Sequence, residues 1–271
     1  MPDAAAVPPN TGAATFLRSD GQHDLLVQEE PLLLWIHGQQ LMTMRTPGRD
    51  EDLGLGFLLG EGIVQHTAEV LHITLQKGDP KAQQVDELRI TLAGTPDAAM
   101  RGRLARTHEI RSSCGVCGLT DPQQILEGTP PLLPGVPKLE RSMVTTLVET
   151  LRQHQPLFAQ TGGSHGALLA AADGSVLGHG EDVGRHNALD KAIGMASRAG
   201  HDLSHAIAVL SGRAGYDLVV KCLRVRVPVI IAVSAPSSLS FELCSAAGAT
   251  LIGFARKNQF TTYCDSGRMR G

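Results

Sequence analysis

The sequence predicts an α/β protein in which a strand-rich N-terminal domain precedes a C-terminal domain built around a parallel sheet. Two observations predict this class. Apolar strand patterns are concentrated before residue 95, and short apolar runs alternate with helical patterns after residue 200. A chain of 271 residues, 42% hydrophobic and 19% charged, is long enough to bury one large core or two smaller ones.

A proline-rich segment separates the two regions. The stretch LEGTPPLLPGVPKLE, residues 126–140, contains four of the fifteen prolines and is typical of a linker or a long exposed loop. The N-terminal MPDAAAVPPNTGAAT has neither the basic nor the apolar region of a signal peptide. We therefore expect a disordered tail at 1–20, a strand-rich domain at 21–125, the linker at 126–140 and an α/β domain at 141–271.

The N-terminal domain is expected to contain a hairpin, a helix and two further strands. The apolar-rich segments DLLVQEEPLLLWIHG and QQLMTMRT show partial alternation and break near His37 and Gly38, which predicts two paired strands. A helix is expected to begin near Pro47, where three acidic residues favour the helix dipole, and to end at Gly60 or Gly62. VLHITLQ and DELRITL predict the two further strands.

The C-terminal domain is expected to begin with a helix and a hairpin and to continue as a regular alternation. SMVTTLVETLRQHQ has helical spacing, and GALLAAADGSVLG predicts a hairpin that turns at Asp173 and Gly174. Strand, helix, strand, helix and strand follow in HAIAVLSG, YDLVVKCLRV, PVIIAVSA, SLSFELCSAAG and TLIGFAR. Near-continuous apolar strands in this order predict a parallel sheet covered on both faces, with ligands beyond the carboxyl ends of its strands.

Two basic loops are expected at that edge of the sheet. SGRAGYD, Ser211 to Asp217, follows a buried strand and opens a helix, so it is either a plain turn or an anion site made by helix amides and Arg213. FARKNQF places Arg256 and Lys257 directly after the last strand and has the same two interpretations. Basic residues outnumber acidic ones after His201, which favours a phosphate-bearing ligand here.

Composition limits the expected location and partners. A formal net charge of -3 gives no reason to expect binding to nucleic acid or to an anionic membrane surface. No apolar run approaches the roughly 18 to 20 residues that cross a bilayer. We expect a cytoplasmic protein with no nucleic-acid and no membrane partner. In that reducing compartment, an odd count of five cysteines argues against a disulfide framework.

The segment RSSCGVCG holds two of those cysteines, Cys114 and Cys117, as a C-x-x-C pair. A structural zinc site needs four ligands, and the chain contains no second such pair. Zinc deaminases combine H-x-E with P-C-x-x-C, but here the H-x-E of His179 and Glu181 comes after the cysteines, and Ser113 replaces the proline. We therefore expect no bound metal.

The remaining interpretation of the pair is a nucleophilic thiol. One thiol of such a pair is commonly ionised near neutral pH, and Arg111 with its small neighbours keeps it electropositive and exposed. The thiolate can form a disulfide with its partner or carry a transferred sulfur as a persulfide. The spacing alone leaves both alternatives open.

The segment GEDVGRHNALDKAIG gathers polar residues at a predicted helix start. General acid and base chemistry by His186 and Asp190, which are four residues apart and share a helix face, is one interpretation. A capped and charged helix entrance is the other, and it is the commoner arrangement.

Six segments occur together in one order across most of residues 25–263. They are MRTPGRDEDLGLGFLLGEGIV (44–64), SSCGVCG (112–118), TGGSHGALL (161–169), EDVGRHNALDKAIG (181–194), SGRAGYDLVVKCLRVRVPVIIAVSAPSS (211–238) and GATLIGFARKNQFTTY (248–263). In this combination the sequence resembles the FdhD family of formate dehydrogenase accessory sulfurtransferases. Several long motifs in one order are far more specific than a single C-x-x-C pair.

The resemblance implies a sulfurtransferase that receives sulfur from a cysteine desulfurase as a cysteine persulfide. It passes the sulfur to the bis-molybdopterin guanine dinucleotide cofactor of molybdenum, which then enters the catalytic subunit of formate dehydrogenase. The cofactor is cargo, and no permanent cofactor is implied. Cys114 becomes the persulfide carrier, assisted by Cys117. The implied cofactor-binding residues, to which we add Arg213, are Phe254, Ala255, Arg256, Lys257, Asn258 and Gln259.

The resemblance also implies a cytidine-deaminase-like fold for the C-terminal domain and a homodimer. Two other functions are kept as alternatives. A zinc-dependent, deaminase-like hydrolase acting on a nucleobase predicts one tightly bound zinc ion per chain. A non-catalytic chaperone that binds the cofactor predicts nucleotide binding without any persulfide.

Overall fold

The computed structural model of the protein describes residues 12–94, 102, 131–257 and 259–270. The described residues form a mixed α/β fold with several sheets. Among them, no helix has the length and apolar character that crossing a membrane requires.

The N-terminal half is strand-rich, as predicted. Its elements are β1 (Ala13–Leu17), β2 (His23–Val27), β3 (Glu30–Ile36), β4 (Gln39–Arg45), α1 (Asp50–Gly60), β5 (Val70–Gln76) and β6 (Asp86–Leu92). The predicted hairpin is confirmed as β3 and β4, and β3 also pairs in parallel with β6. The result is a four-stranded sheet in the order β4-β3-β6-β5.

The beginning of the chain differs from the expectation of a disordered tail at 1–20. Residues 13–17 form β1, which pairs with β2 in antiparallel register from Ala13 opposite Val27 to Leu17 opposite His23. The alanine- and proline-rich composition hid this strand because its ladder depends on a partner ten residues further along the chain. The remaining domain boundaries stay a prediction.

The C-terminal half alternates strands and helices. Its elements are β7 (Leu139–Glu140), α2 (Arg141–Gln153), α3 (Pro156–Thr161), β8 (His165–Ala170), β9 (Val176–Asp182), α4 (Arg185–Arg198), β10 (Ile207–Leu210), α5 (Tyr216–Arg224), β11 (Val229–Ala232), α6 (Ser238–Ala247), β12 (Thr250–Arg256), β13 (Gln259–Cys264) and β14 (Met269–Arg270). The predicted helices and strands of this half are confirmed, and Gly248 ends α6 in the left-handed conformation.

The predicted parallel arrangement of β10, β11 and β12 is confirmed, but the large sheet that contains these strands is mixed. Its order is β13-β12-β11-β10-β8-β9. The pairs β10 with β11 and β11 with β12 are parallel, whereas β8 and β13 run antiparallel to their neighbours. The reason is that the hairpins β8-β9 and β12-β13 add a reversed strand on each side of the parallel centre. Two reversals leave β9 running in the same direction as β10.

Both faces of this sheet are covered, as predicted. One face packs against α2 through an apolar cluster that includes Leu147, Leu168 and Val209. The other face packs against α4 and α5, and its cluster continues without a break through α1 to the four-stranded sheet. The N-terminal and C-terminal elements therefore share one hydrophobic core.

The helices α1 and α4 cross at very short range. A Cβ atom built on Gly56 would strike the backbone carbonyl of Asp190, and one built on Gly194 would strike the carbonyl of Asp52. Glycine at these two positions lets the helix backbones touch, which seats the four-stranded sheet on the C-terminal half.

Candidate functional site

Three loops that follow parallel strands lie side by side at one edge of the large sheet. Ser234 N donates to Gly212 O at 3.1 Å, and Phe254 N donates to Ser234 O at 3.1 Å. Ala214 also forms an isolated parallel bridge with Pro236. These bonds join the loops after β10 and β11 to the end of β12, so the predicted meeting of SGRAG, SAPSS and FARKNQF at one edge is confirmed.

This edge carries three exposed cations, Arg213, Arg256 and Lys257. We call these three residues the basic edge. Within the part of the chain that the structure describes, no carboxylate pairs with any of the three side chains. Because β11 lies between β10 and β12, Arg213 and the stretch from Phe254 are separated by two strand spacings, about 10 Å. A ligand that touched both ends would have to be an extended anion.

The chain is irregular where β12 reaches the basic edge. A register shift between Gly253 and Arg256 marks a bulge opposite β13. Phe254 there has a left-handed backbone, with φ of 54°, and its ring is 38% exposed. Bulges next to binding sites commonly re-aim a side chain, and this one turns an aromatic ring outward beside the cations.

The six residues assigned to the cofactor do not have equal access. Ala255 is buried, at 1% exposure, so only its backbone can reach a ligand. Arg256, Lys257 and Gln259 are exposed and line a shallow cleft whose other wall is α2. Asn258 lies outside the described residues, as do Cys114 and Cys117. The role of each residue in binding stays a prediction.

A second set of polar residues surrounds the start of α4 and α5 at the same edge. His186 Nε2 lies 3.5 Å from Asp217 Oδ2, which joins the first turns of the two helices. The hydrogen bond from His186 lowers the pKa of Asp217, the nearby charges of Arg185 and Lys221 lower it further, and burial opposes this shift only in part. Asp217 therefore remains a carboxylate near neutral pH, and it is half-buried beneath the exposed Arg185.

His165 connects these helix starts to the loop of Arg213. Its imidazole lies beside Gly212, and the next residue, Gly166, donates its N–H to Ser211 Oγ at 2.9 Å. Burial lowers the pKa of His165, and the positive charge of Arg185 lowers it further against the opposing effect of Asp182. The ring is therefore neutral at pH 7 and can both donate and accept a hydrogen bond.

Most polar residues of GEDVGRHNALDKAIG have structural roles. Glu181 accepts hydrogen bonds from Leu157 N at 3.0 Å and Phe158 N at 2.6 Å, which caps α3. The buried Asp182 pairs with Lys191 at 2.7 Å. The entrance of α4 is therefore charged, but α4 has no side-chain cap at its N-cap residue Gly184, and the cap made by Glu181 lies on α3.

Asp190 is the other member of the predicted acid and base pair, and it does not reach the edge. It is buried and binds Lys221 Nζ at 2.9 Å, and Lys221 also binds Glu61 at 2.7 Å. Burial raises the pKa of Asp190 to about 6, although Lys221 opposes the shift. These ion pairs join α4 and α5 to the residue that follows α1, and they occupy the buried Asp190 carboxylate.

The H-x-E residues of the zinc-hydrolase alternative are also engaged elsewhere. His179 Nε2 lies 3.2 Å from the guanidinium of Arg49, and its ring packs at a tilt against the ring of His154. A cation beside the His179 imidazole opposes metal binding. The Glu181 carboxylate already accepts the hydrogen bonds that cap α3. Within the described ranges, no group of three histidine, cysteine or acidic residues is placed to hold a metal ion.

Comparison with known proteins identifies relatives along the whole chain. The model of the FdhD/NarQ family matches residues 27–270. A sulfur carrier protein FdhD of Anaeromyxobacter dehalogenans (strain 2CP-C) is 40% identical over 281 residues, covering 98% of this chain and 96% of that one. Another, from Xanthomonas euvesicatoria pv. vesicatoria (strain 85-10), is 36% identical over 274 residues, covering 99% and 95%.

A solved structure has the same fold. A candidate formate dehydrogenase accessory protein from Desulfotalea psychrophila superposes with a TM-score of 0.71 and covers 95% of this chain and 98% of its own. The two sequences are 23% identical.

Proposed function

The chain belongs to the FdhD/NarQ family, and from that membership we propose that it is a sulfur carrier that serves the maturation of formate dehydrogenase. The observation that carries the proposal is the likeness, at 36% to 40% identity over nearly the whole chain, to proteins named sulfur carrier protein FdhD. The name of the Desulfotalea psychrophila protein agrees with the proposed client.

The proposed sulfur step uses the C-x-x-C pair. The Cys114 thiolate attacks the outer sulfur of a persulfide on a cysteine desulfurase, the sulfur–sulfur bond of that persulfide breaks, and the desulfurase thiol leaves. Cys114 then carries the sulfur and passes it to the molybdenum cofactor, with Cys117 assisting. The small residues and Arg111 around the pair support an exposed, ionised thiol. On this account the protein is a sulfurtransferase.

The cargo is proposed to bind at the basic edge as the bis-molybdopterin guanine dinucleotide cofactor. Arg213, Arg256 and Lys257 would neutralise its two pyrophosphates, and the separation of the loops suits an extended dinucleotide. The exposed ring of Phe254 would stack on a guanine base. Ala255 would contribute through its backbone, and Asn258 and Gln259 through their amides.

The proposed setting is the cytoplasm. The partners are a cysteine desulfurase, the catalytic subunit of formate dehydrogenase and a second copy of the chain. We also propose that the C-terminal half is cytidine-deaminase-like. A mixed sheet with three central parallel strands and helices on both faces supports that assignment.

Genetic complementation tests the proposal as a whole. In cells that lack their own carrier, the native chain should restore formate dehydrogenase activity, and the Cys114→Ala chain should not. Cys222→Ala is the matched control, because Cys222 is a buried thiol in α5 outside the C-x-x-C pair and its replacement should leave full activity. Equal activity with Cys114→Ala would remove the carrier role and leave the cofactor-binding chaperone.

A further inference from the structure

A two-stranded hairpin, made of β1 and β2, is attached to the rest of the molecule only at its base, and we call residues 13–27 the arm. At the base, Gln28 N donates to Gly12 O at 2.8 Å, and Thr46 Oγ1 donates to Gln28 O at 3.0 Å. Residues 15–24 are all exposed. Neither buried apolar cluster of the described residues includes a side chain of β1 or β2. The outer part of the arm therefore lacks support from the core.

The arm exposes large apolar side chains. Phe16 is 53% exposed, Leu17 is 68% exposed and Leu26 is 47% exposed. Phe16 and Leu17 are adjacent in one strand, so they lie on opposite faces of the arm. A hairpin of two strands is marginally stable in water unless a further strand or an apolar surface covers it. These side chains therefore indicate that the arm is an interaction surface.

The strand β1 has one open edge. Gly12 bonds to Gln28 and Arg18 N donates to Gln22 O at 2.8 Å, so the even-numbered residues of β1 bond to β2. Thr15 and Leu17 consequently direct their N–H and C=O groups away from β2. No bond from another described residue reaches the backbone of these two residues on that side.

This open edge has none of the features that usually keep edge strands apart. The strand AATFL contains no charged residue and no proline. Its register with β2 is continuous, so no bulge turns the edge away. An uncharged, regular edge strand is a template for a further strand.

We propose that the arm docks on the arm of a second copy of the chain, through antiparallel pairing of β1 with the partner's β1 about a two-fold axis at Phe16. Thr15 then lies opposite the partner's Leu17, and Leu17 opposite the partner's Thr15, which makes four backbone hydrogen bonds. Phe16 lies opposite the partner's Phe16 in a non-hydrogen-bonded pair, where side chains are closest. The two arms form one four-stranded sheet in the order β2-β1-β1-β2.

Charge and symmetry favour a second copy as the occupant. In this register Arg18 lies opposite the partner's Ala14, so no charged residue faces a like charge on the paired strands. A two-fold axis fills both open edges with one contact and closes the assembly at two copies. The inference rests on the second copy named under the proposed function, but it does not depend on sulfur transfer.

Proline at position 15 tests the pairing. Thr15→Pro removes an outward N–H and places its ring on the open edge, whereas the bonds between β1 and β2 do not use that N–H. In sedimentation equilibrium of the full chain, we expect a native dimer and a dissociation constant raised by about tenfold or more in Thr15→Pro. Thr15→Val keeps the N–H and is the matched control, so its dissociation constant should equal that of the native chain. A monomeric native chain, or an equally tight Thr15→Pro dimer, would overturn the proposal.

Disulfide trapping tests the position of the two-fold axis. A disulfide requires two Cα atoms within about 7 Å, and the axis places the two copies of residue 16 within that distance. In a full chain with Cys114→Ser and Cys117→Ser, Phe16→Cys should therefore yield a disulfide-linked dimer on mild oxidation. Leu71→Cys in the same background is the control, because Leu71 is equally exposed on β5 outside the arm and should stay unlinked. Equal linkage in both variants, or none in Phe16→Cys, would contradict the proposed axis.

Discussion

At the scale of single residues, the basic edge combines exposed cations with one exposed aromatic ring. Phe254 has a left-handed backbone, which costs free energy for a residue other than glycine and persists only where the surrounding structure holds it. Gly253 before it has no room for a side chain, because a Cβ atom would contact Pro236 and Tyr263. The strand is therefore shaped to present the ring, which favours a role for Phe254 in binding.

Replacement of that ring tests its role. Phe254→Ala should weaken binding of guanosine diphosphate by about 1–3 kcal/mol, roughly a 5- to 150-fold rise in Kd, because the base loses its stacking partner. Titration calorimetry measures this change directly. Phe241→Ala is the matched control, since Phe241 is a similarly exposed phenylalanine on α6, and its Kd should equal that of the native chain. Equal losses in both variants would contradict the assignment.

The sequence predicts some residues of the site and misses others for a definite reason. Arg213, Arg256 and Lys257 lie at or just after the ends of buried strands, so local pattern is enough to place them at the edge. His165 and Asp217 could not be found this way, because their partners Gly212 and His186 are more than thirty residues away in the sequence. Contacts between residues so far apart in the sequence depend on the order of strands in the sheet, which the local sequence pattern does not determine.

At the scale of secondary-structure elements, the contact between α1 and α4 depends on glycine. The expected advantage of alanine over glycine within a helix is about 1 kcal/mol. At Gly194, however, a Cβ atom would overlap the backbone carbonyl of Asp52, and backbone atoms of a packed helix cannot move away cheaply. Steric overlap should therefore outweigh helix propensity at this position.

Gly194→Ala should lower the free energy of unfolding by about 1–3 kcal/mol, measured by urea denaturation. The control is Gly215→Ala, because no atom lies within 4 Å of the added Cβ and the backbone φ of -78° suits alanine. That variant should remain within about 0.5–1 kcal/mol of the native chain. A more stable Gly194→Ala chain would show that α1 and α4 are not in contact as described.

The sequence predicts the positions of helices and strands better than it predicts which strands pair with one another. The strands β5 and β6 coincide with the segments VLHITLQ and DELRITL, whose alternation reflects one buried and one exposed face. The sequence predicts the hairpin of β8 and β9 and the parallel strands β10 to β12, but it predicts neither β13 nor the antiparallel pairing of β8 with β10. The directions of β8 and β13 are fixed by hairpin connections and not by composition.

At the scale of the whole molecule, polar bonds as well as apolar packing join the two halves. Lys191 Nζ donates to Thr46 O at 2.8 Å, and Thr46 N donates to Asp182 Oδ2 at 3.0 Å. Lys221 of α5 binds Glu61 just after α1. All of these groups except Glu61 are buried, so opening the interface would leave polar and charged groups unpaired at a cost of several kcal/mol.

The two halves should therefore unfold in one cooperative transition, although the sequence divides them into two domains. Trp35 is the only tryptophan and lies in β3, so its fluorescence reports on the N-terminal half. Circular dichroism at the helix band reports mainly on the C-terminal half, where five of the six described helices lie. The two urea curves should coincide, and separate midpoints would indicate independent domains.

The central claim is that Cys114 carries sulfur, and mass spectrometry of its peptide tests that claim most directly. The full chain is incubated with a cysteine desulfurase and cysteine and digested with trypsin without reductant, which releases peptide 112–138. We predict a gain of one sulfur atom on Cys114 and none in the Cys114→Ala chain. A native chain that binds guanosine diphosphate but never gains sulfur at Cys114 would contradict the sulfur-carrier account.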